Sequence, residues 1–480
     1  MRGAVAIVAA ALLVAAVFFA NQQTNPPGFA QDESSIAYNA CQIARHGVDE
    51  HDVAYPLYFR AFGEYKNPVY IYALAGVFKC LAPSNLVARR LSAALVLAAV
   101  FLLAWLAWAI SRSMAVAAIT LLTAAATPNL FEISRLAFEV AAYPLVLALF
   151  LIAAYAAFRR ERWSAGLVVA LASTLIALTF AYSIGRLHAP LLLALFIVLT
   201  ANRSGRLPLV VLVALYVGLA VVPVVVFNAS HDGALTERFR RLSYVPALRE
   251  QPAELFAALE QHAVQNLAPL GYALVGDPNE RHHVKGSGGS MLLMSFILAA
   301  IGAAVTLPRR DRWWWFVAGG TILSVVPAVL TNDVYHSLRL VPYPMFLIVL
   351  SIPALDLLLR GKRLIAATLL LLGLAQALWF FSVFEVNGAK RTNEFDAGFR
   401  GVFADALAQR APLYVSHSVF MQAYWYGAQR GLDRTFFQVG WDPAAAPKGS
   451  VVIGNEPPCA GCAVIRRQGT FTAYRVADRP

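Results

Sequence analysis

Charge is scarce in this chain: only 14% of its 480 residues are Asp, Glu, Lys or Arg, against 59% that are hydrophobic. With a mean hydropathy of +0.61, that composition excludes a soluble globular protein of this length and predicts a polytopic membrane protein. Cysteine is scarce too, and the four present exclude a disulfide-built scaffold. Cys459 and Cys462, in Pro457-Pro458-Cys459-Ala460-Gly461-Cys462, suit a short structural disulfide outside the cytoplasm. A redox centre there lacks the surrounding βαβ pattern. Cys41 and Cys80 are open to pairing as well. No second cysteine pair or histidine group supports a zinc site, and no metal ligands are assigned. The chain also lacks a GxxxxGK phosphate loop and any strand-to-helix GxGxxG unit. An activated donor is therefore expected to be a membrane lipid rather than a nucleotide. No basic and aromatic surface motif accompanies the net charge of +12, so a nucleic acid partner is not expected.

What the chain has instead is long apolar runs. About 20 apolar residues cross a bilayer core, and eleven stretches qualify as spans: residues 4–20, 91–110, 114–129, 140–157, 164–182, 187–201, 207–227, 291–307, 313–330, 340–359 and 364–384. The first is expected to stay as an anchor, because Phe18 stands where cleavage after Ala20 would need a small residue. Arg159-Arg160-Glu161-Arg162, Asn202-Arg203-Ser204-Gly205-Arg206, Arg309-Arg310-Asp311-Arg312 and Arg360-Gly361-Lys362-Arg363 all fall on one side of this span list. Basic short loops face the cytoplasm. A multi-pass protein of the inner (plasma) membrane follows, its N-terminus cytoplasmic and its C-terminus outside. Residues 68–82 make an apolar segment of only about 22 Å at 1.5 Å per residue, broken by Lys79, and are expected to lie along the outer leaflet. Trp313-Trp314-Trp315 reads as an interfacial belt.

Function therefore faces outward, in loops 21–90, 130–139, 228–290 and 331–339 and in a tail, 385–480. The tail alternates strand-like runs at 412–415, 450–453 and 471–476 with Gly and Pro, which predicts a small α/β domain. Residues 1–384 form the expected membrane domain. The loops supply Asp32, Glu33, Glu64, Lys66, Arg135, Glu139, Arg281, His282, His283, His336 and Arg339. Carboxylates take a proton from a hydroxyl nucleophile, and Lys or Arg steadies a departing phosphate. Together these are the requirements for moving a sugar from a lipid phosphate.

The order of Pro27-Gly28-Phe29, Asp32-Glu33, Tyr65-Lys66-Asn67-Pro68-Val69-Tyr70, Arg89-Arg90-Leu91-Ser92 and Ser134-Arg135-Leu136-Ala137-Phe138-Glu139 resembles the GT-C superfamily of membrane glycosyltransferases. The group nearest in pattern includes the protein O-mannosyltransferases and the lipid A aminoarabinose transferases. Gly276-Asp277-Pro278-Asn279-Glu280-Arg281-His282 and His336-Ser337-Leu338-Arg339 also resemble motifs of bacterial members. The resemblance covers residues 4–384. It implies an α-helical polytopic fold of about eleven membrane helices, to which the strand-like runs of the tail add a small α/β C-terminal extracytoplasmic domain.

It further implies an inverting glycosyltransferase that uses a polyprenyl-phosphate sugar donor and an extracytoplasmic protein, lipid or cell-envelope glycan acceptor. By the same resemblance Asp32 is the catalytic carboxylate, with Glu33 completing the acidic pair and Glu139 in place of the acid of the second external loop. Lys66 contacts the donor phosphate, with Arg281 or Arg339 completing that site. Tyr65, Arg135, His282 and His336 are further candidate substrate contacts. No cofactor is required, although the acidic face leaves room for a divalent cation. The family often has aspartate where this chain has Glu139, and Pro-Pro where it has Asn67-Pro68.

Each candidate has a structural reading beside it. Asp32-Glu33 suit a helix N-terminus. Lys66 suits snorkelling to the interface; Arg186 and His188, at the outer end of a span, suit either snorkelling or lining the cavity. Arg135 and Glu139, four apart, suit an ion pair on one helical turn. A transporter or flippase would place ionisable groups near the bilayer midplane, whereas here they gather at span ends. A non-catalytic binding protein would not need Asp32 and Lys66 together. A lipid-linked glycan polymerase or ligase is the nearest alternative within the enzyme class.

Overall fold

The computed structural model describes residues 2–201, 205–440 and 446–477, with side chains from residue 7 onward. Asn202, Arg203 and Ser204 of the second basic connection lie outside the described residues. Among the described residues, five helices are long and apolar enough to cross a bilayer: Asn85–Ser111, Glu139–Arg159, Arg206–Ser230, Pro342–Gly361 and Arg363–Lys390. Shorter apolar helices stand at Ile7–Phe19, Pro68–Phe78, Met114–Ala126, Ala165–Ala181, Gly185–Thr200 and Leu293–Arg309. Helix is thus present at each expected span, but the count of eleven crossings is not carried by length. The expected span 313–330 is broken. Its helix, Arg312–Leu323, stops where the Ser324 hydroxyl donates to the Gly320 carbonyl at 2.6 Å. Pro327 then opens the separate turn Val326–Val329, because proline cannot donate to a continuing ladder.

The chain divides into two compact units, Met1–Ala20 with Leu57–Tyr70 and Ser92–Val383, and Asn21–Pro56 with Ile71–Leu91 and Phe384–Pro480. Most of loop 21–90, expected with the membrane domain, therefore clusters with the C-terminal tail. In the first unit, the helix window of Pro342–Gly361 is 78% buried, against 22% for Arg206–Ser230. Its closest neighbour is Leu293–Thr306, and Gly302 allows that approach: a Cβ there would stand 1.9 Å from the Leu350 carbonyl oxygen. Small residues admit such backbone contact between membrane helices. The tryptophan run is not a belt. Trp313 is fully buried and Trp314 nearly so, and Trp313 meets Tyr155 edge-on at 5.2 Å; Trp315 alone of the three is exposed. A two-stranded antiparallel hairpin, β1 (Phe59–Ala61) and β2 (Glu64–Lys66), also belongs to this unit.

The second unit carries a five-stranded sheet of β3 (Leu413–Ser416), β4 (Phe437–Gly440), β5 (Val451–Gly454), β6 (Ala463–Gln468) and β7 (Phe471–Arg475), in the order β4-β3-β5-β7-β6. β3 pairs parallel with β4 and β5, and the rest is antiparallel. β5 is buried throughout, as expected of a strand covered on both faces. Helix Gln31–His46 packs on helix Phe420–Ala428, with Phe29 stacked on Trp425 at 5.9 Å. That packing is why the first loop joins the tail. Cys459 and Cys462 are bonded to each other. Cys41 and Cys80 are not paired; the first is buried in its helix and the second exposed.

Candidate functional site

Asp32 and Glu33 occupy the first turn of helix Gln31–His46, where carboxylates are favoured by the helix dipole. Their fates differ. Glu33 is fully buried, and its two oxygens accept from Arg89 Nε at 3.0 Å and Nη2 at 2.8 Å. It also reaches back to the Ala30 N–H at 3.1 Å, as the acid of a capping box does. Arg89, buried as well, donates its remaining Nη1 to the Pro26 carbonyl at 2.7 Å and lies over the Phe29 ring at 5.4 Å. Glu33, expected to act chemically, is thus held in a bidentate buried pair that ties the Pro26–Phe29 entry to residue 89. Asp32 stays half-buried one residue earlier. Both acids belong to the second unit, and the other candidates to the first.

In the first unit, the hairpin places three consecutive side chains. Its turn residues Phe62 and Gly63 have φ of 53° and 74°, the positive values a two-residue hairpin turn requires. Alternation along β2 then sends Tyr65 to one face and Glu64 and Lys66 to the other. Tyr65 packs on Phe227 at 5.1 Å and His231 at 5.7 Å. Glu64 pairs with Arg238 at 2.8 Å, and the Lys66 ammonium lies 5.4 Å from the Phe62 ring centre. Immediately after β2, the Asn67 N–H donates to Glu139, while the Asn67 side-chain oxygen accepts from Arg186 Nη2 at 3.0 Å. Arg186 also donates to the Leu235 carbonyl at 3.1 Å and lies over Tyr58 at 5.1 Å. Lys66, Arg238 and Arg186 are all close enough to act on the charge of Glu139. Three cations converge around one hairpin.

Arg135 does not pair with Glu139. Residues 134–138 are not helical, so the four-residue spacing brings no contact. The Arg135 guanidinium instead donates to the carbonyls of Ala20 at 2.6 Å and Val17 at 3.0 Å. It thereby satisfies open acceptors at the C-terminal end of helix Arg2–Phe19.

A second cluster forms between loop 276–290 and turn 331–339. Asp277 Oδ2 accepts from the Ser337 N–H at 2.7 Å and faces His282 Nδ1 at 3.1 Å, while Oδ1 accepts from the Asn279 N–H at 2.9 Å. The His282 and His336 rings are 4.9 Å apart. Burial alone would raise the Asp277 carboxyl, but the hydrogen bond and charge of His282 outweigh it and hold it below the ordinary value. Burial, reinforced by the Arg339 and His282 charges, brings His336 down to about 3. Arg339 donates Nη1 to Thr331 Oγ1 and Asp333 Oδ2, each at 2.7 Å. Arg281 is half-buried, its N–H bonded to Asn279 Oδ1 at 3.0 Å. Glu132 anchors the loop from helix Pro128–Ile133, accepting from His283 Nδ1 at 2.6 Å and the Val284 N–H at 2.8 Å. Burial opposes charge on His283, but the Glu132 carboxylate prevails and raises it.

Sequence reasoning gave no role to Arg89, Asn67, Glu132, Asp277 or Arg238, and left Arg186 open. Arg238 sits in the charged run of helix Ala234–Leu242, which reads as an ordinary solvated face. Arg89 is preceded by an apolar residue and followed by a second arginine, so no local pattern marks it as the buried one.

No protein-family model and no curated protein matches the chain. Solved structures do. The crystal structure of ArnT from Cupriavidus metallidurans bound to undecaprenyl phosphate aligns with a TM-score of 0.58 at 14% identity, covering 98% of this chain and 97% of that one. The same protein in its apo state aligns with a TM-score of 0.62 at 14% identity and the same coverage. The likeness runs through both units, not the membrane helices alone. The chain therefore has the fold seen in these two ArnT structures, over nearly its whole length.

Proposed function

We propose that the protein is an inverting glycosyltransferase that takes a sugar from a polyprenyl-phosphate donor and passes it to a hydroxyl acceptor outside the cytoplasm. The observation that carries this reading is the hairpin cluster, in which Lys66, Arg186 and Arg238 gather beside Glu139 and Asn67. A phosphate monoanion or dianion suits three cations that two carboxylates, Glu64 and Glu139, only partly neutralise. The ArnT structure of the same fold is one bound to undecaprenyl phosphate, which makes a polyprenyl phosphate the natural class of ligand to test.

In this mechanism the acceptor oxygen attacks the anomeric carbon and gives its proton to a carboxylate base, for which the sequence resemblance names Asp32. The bond from the anomeric carbon to the phosphate oxygen breaks with its electron pair going to the phosphate. Lys66 and the two arginines stabilise that charge, and exclusion of water strengthens each such contact. Glu139 acts by fixing the hairpin through the Asn67 N–H. Arg281 is a further candidate phosphate contact. Arg339 is engaged by Asp333 and Thr331 and is assigned to the shape of its turn. Glu33 and Arg135 receive structural roles.

The test is lipid mass spectrometry on nanodisc-held protein given a panel of undecaprenyl-phosphate monosaccharides and a membrane extract as acceptor source. Wild type is expected to consume one donor, and folded Asp32→Asn to consume none. Normal turnover by folded Asp32→Asn removes the assignment of the base. Consumption of lipid-linked oligosaccharides in place of monosaccharides moves the reading to a polymerase or ligase.

A further inference from the structure

Asp277, His282 and His336 bring one carboxylate oxygen and two imidazole nitrogens to within 4.8 Å of one another. All three belong to the first unit, in loops between helices. We propose that this trio is a binding site for a divalent transition ion of the zinc type, joining loop 276–283 to turn 331–339.

Two imidazoles and one carboxylate suit zinc and its neighbours, whereas calcium and magnesium prefer all-oxygen sets. Zinc bonds of about 2.0–2.1 Å put two tetrahedral ligand atoms roughly 3.3 Å apart. His282 Nδ1 and Asp277 Oδ2 already stand at 3.1 Å, so that edge needs no rearrangement. The third donor, His336, lies within 4.8 Å of both. Moreover, the carboxylate is oriented in advance. The Ser337 and Asn279 N–H groups fix both Asp277 oxygens, the kind of outer support that metal ligands need.

His336 supplies an independent sign. Its Nδ1 is sealed from solvent and has no hydrogen-bond partner among the described residues, although buried polar atoms are nearly always satisfied. Its ring leans on that of His282 at 4.9 Å, so two rings with lone pairs to place share one small space. The competing account is a hydrogen-bonded His282–Asp277 pair with His336 as packing; it leaves the buried Nδ1 unexplained. Three protein ligands leave a coordination position for water or an anionic oxygen.

Metal binding is read without donor or acceptor, so its outcome is independent of the glycosyl-transfer reading. Full-length protein in nanodiscs is stripped with a chelator, then dialysed against Zn2+, with metal content and thermal unfolding measured. Co2+ serves as the absorbing probe of ligand geometry. Wild type and Lys66→Ala are expected to take up one ion per chain, to gain thermal stability with it, and to give a four- or five-coordinate Co2+ spectrum. His336→Gln and His282→Gln are expected to weaken binding by at least about tenfold, as loss of even a supporting group does. Absence of uptake and of any Zn2+-dependent stabilisation in wild type overturns the proposal. So does uptake that is unchanged in both folded histidine variants. If both variants fail to fold, the wild-type stabilisation and Co2+ spectrum still decide it.

Discussion

Two adjacent carboxylates can be chemically unlike when one of them finds a buried partner. Glu33 is held by both arms of Arg89 with neither side chain exposed, and a buried pair is costly to break because the orphaned charge stays behind. Replacing Arg89 by Leu is expected to destabilise the protein by about 3–5 kcal/mol, read as a lowered thermal midpoint in detergent. Replacing both members by apolar residues should recover much of that loss, since the penalty lies in the unpaired charge. Asp32→Asn should remove turnover in a protein that still folds; a variant that unfolds instead would place Asp32 with Glu33 among the structural residues. The sequence shows that acids stand at this membrane boundary. It does not show which is consumed, because the deciding arginine is 56 positions away and looks no different from its neighbour Arg90. Likewise Arg135 and Glu139 carry the spacing of a helical ion pair, but the segment between them is not helix, so the spacing has no geometric force.

At the scale of elements, what is legible follows from how strongly a pattern constrains the backbone. Long apolar runs yield helices at every expected span. The break at Ser324 escapes notice because Gly319-Gly320 and Pro327 are common in membrane helices. The hairpin β1–β2 escapes because strands of three residues carry no periodic signal, although Phe62-Gly63 holds the turn chemistry. Strands β4 and β6 are missed for a related reason: they are edge strands with exposed residues rather than apolar runs. Helix packing is set by single small residues. Ala at Gly302 would press its Cβ against the Leu350 carbonyl, a backbone atom that cannot rotate away, and overpacking of this kind costs about 1–3 kcal/mol. Gly166→Ala, which meets nothing within 4 Å, serves as the control and should be neutral or stabilising. A thermal shift confined to Gly302→Ala supports the close contact of helices Leu293–Thr306 and Pro342–Gly361; equal shifts in both variants argue against it.

For the whole molecule, the question is which side of the membrane the chemistry faces. Within the first unit, the least buried long helices expose Val210, Val225, Leu371 and Leu378, a surface that only lipid tolerates at this extent. By the charge rule residues 159–162 and 309–312 are expected in the cytoplasm, and the hairpin and loop 276–290 on the opposite side. The two unpaired cysteines report on this directly. Cys80 is exposed, whereas Cys41 is buried in helix Gln31–His46, where burial pushes its thiol up and keeps the reactive thiolate rare. A membrane-impermeant maleimide added to intact spheroplasts is therefore expected to label the protein once, at Cys80, with Cys80→Ser abolishing the signal and Cys41→Ser leaving it. Labelling of Cys80 only after the membrane is opened would invert the topology. It would also overturn the charge rule's assignment of the first loop to the outer side, and with it the extracytoplasmic acceptor of the proposed reaction.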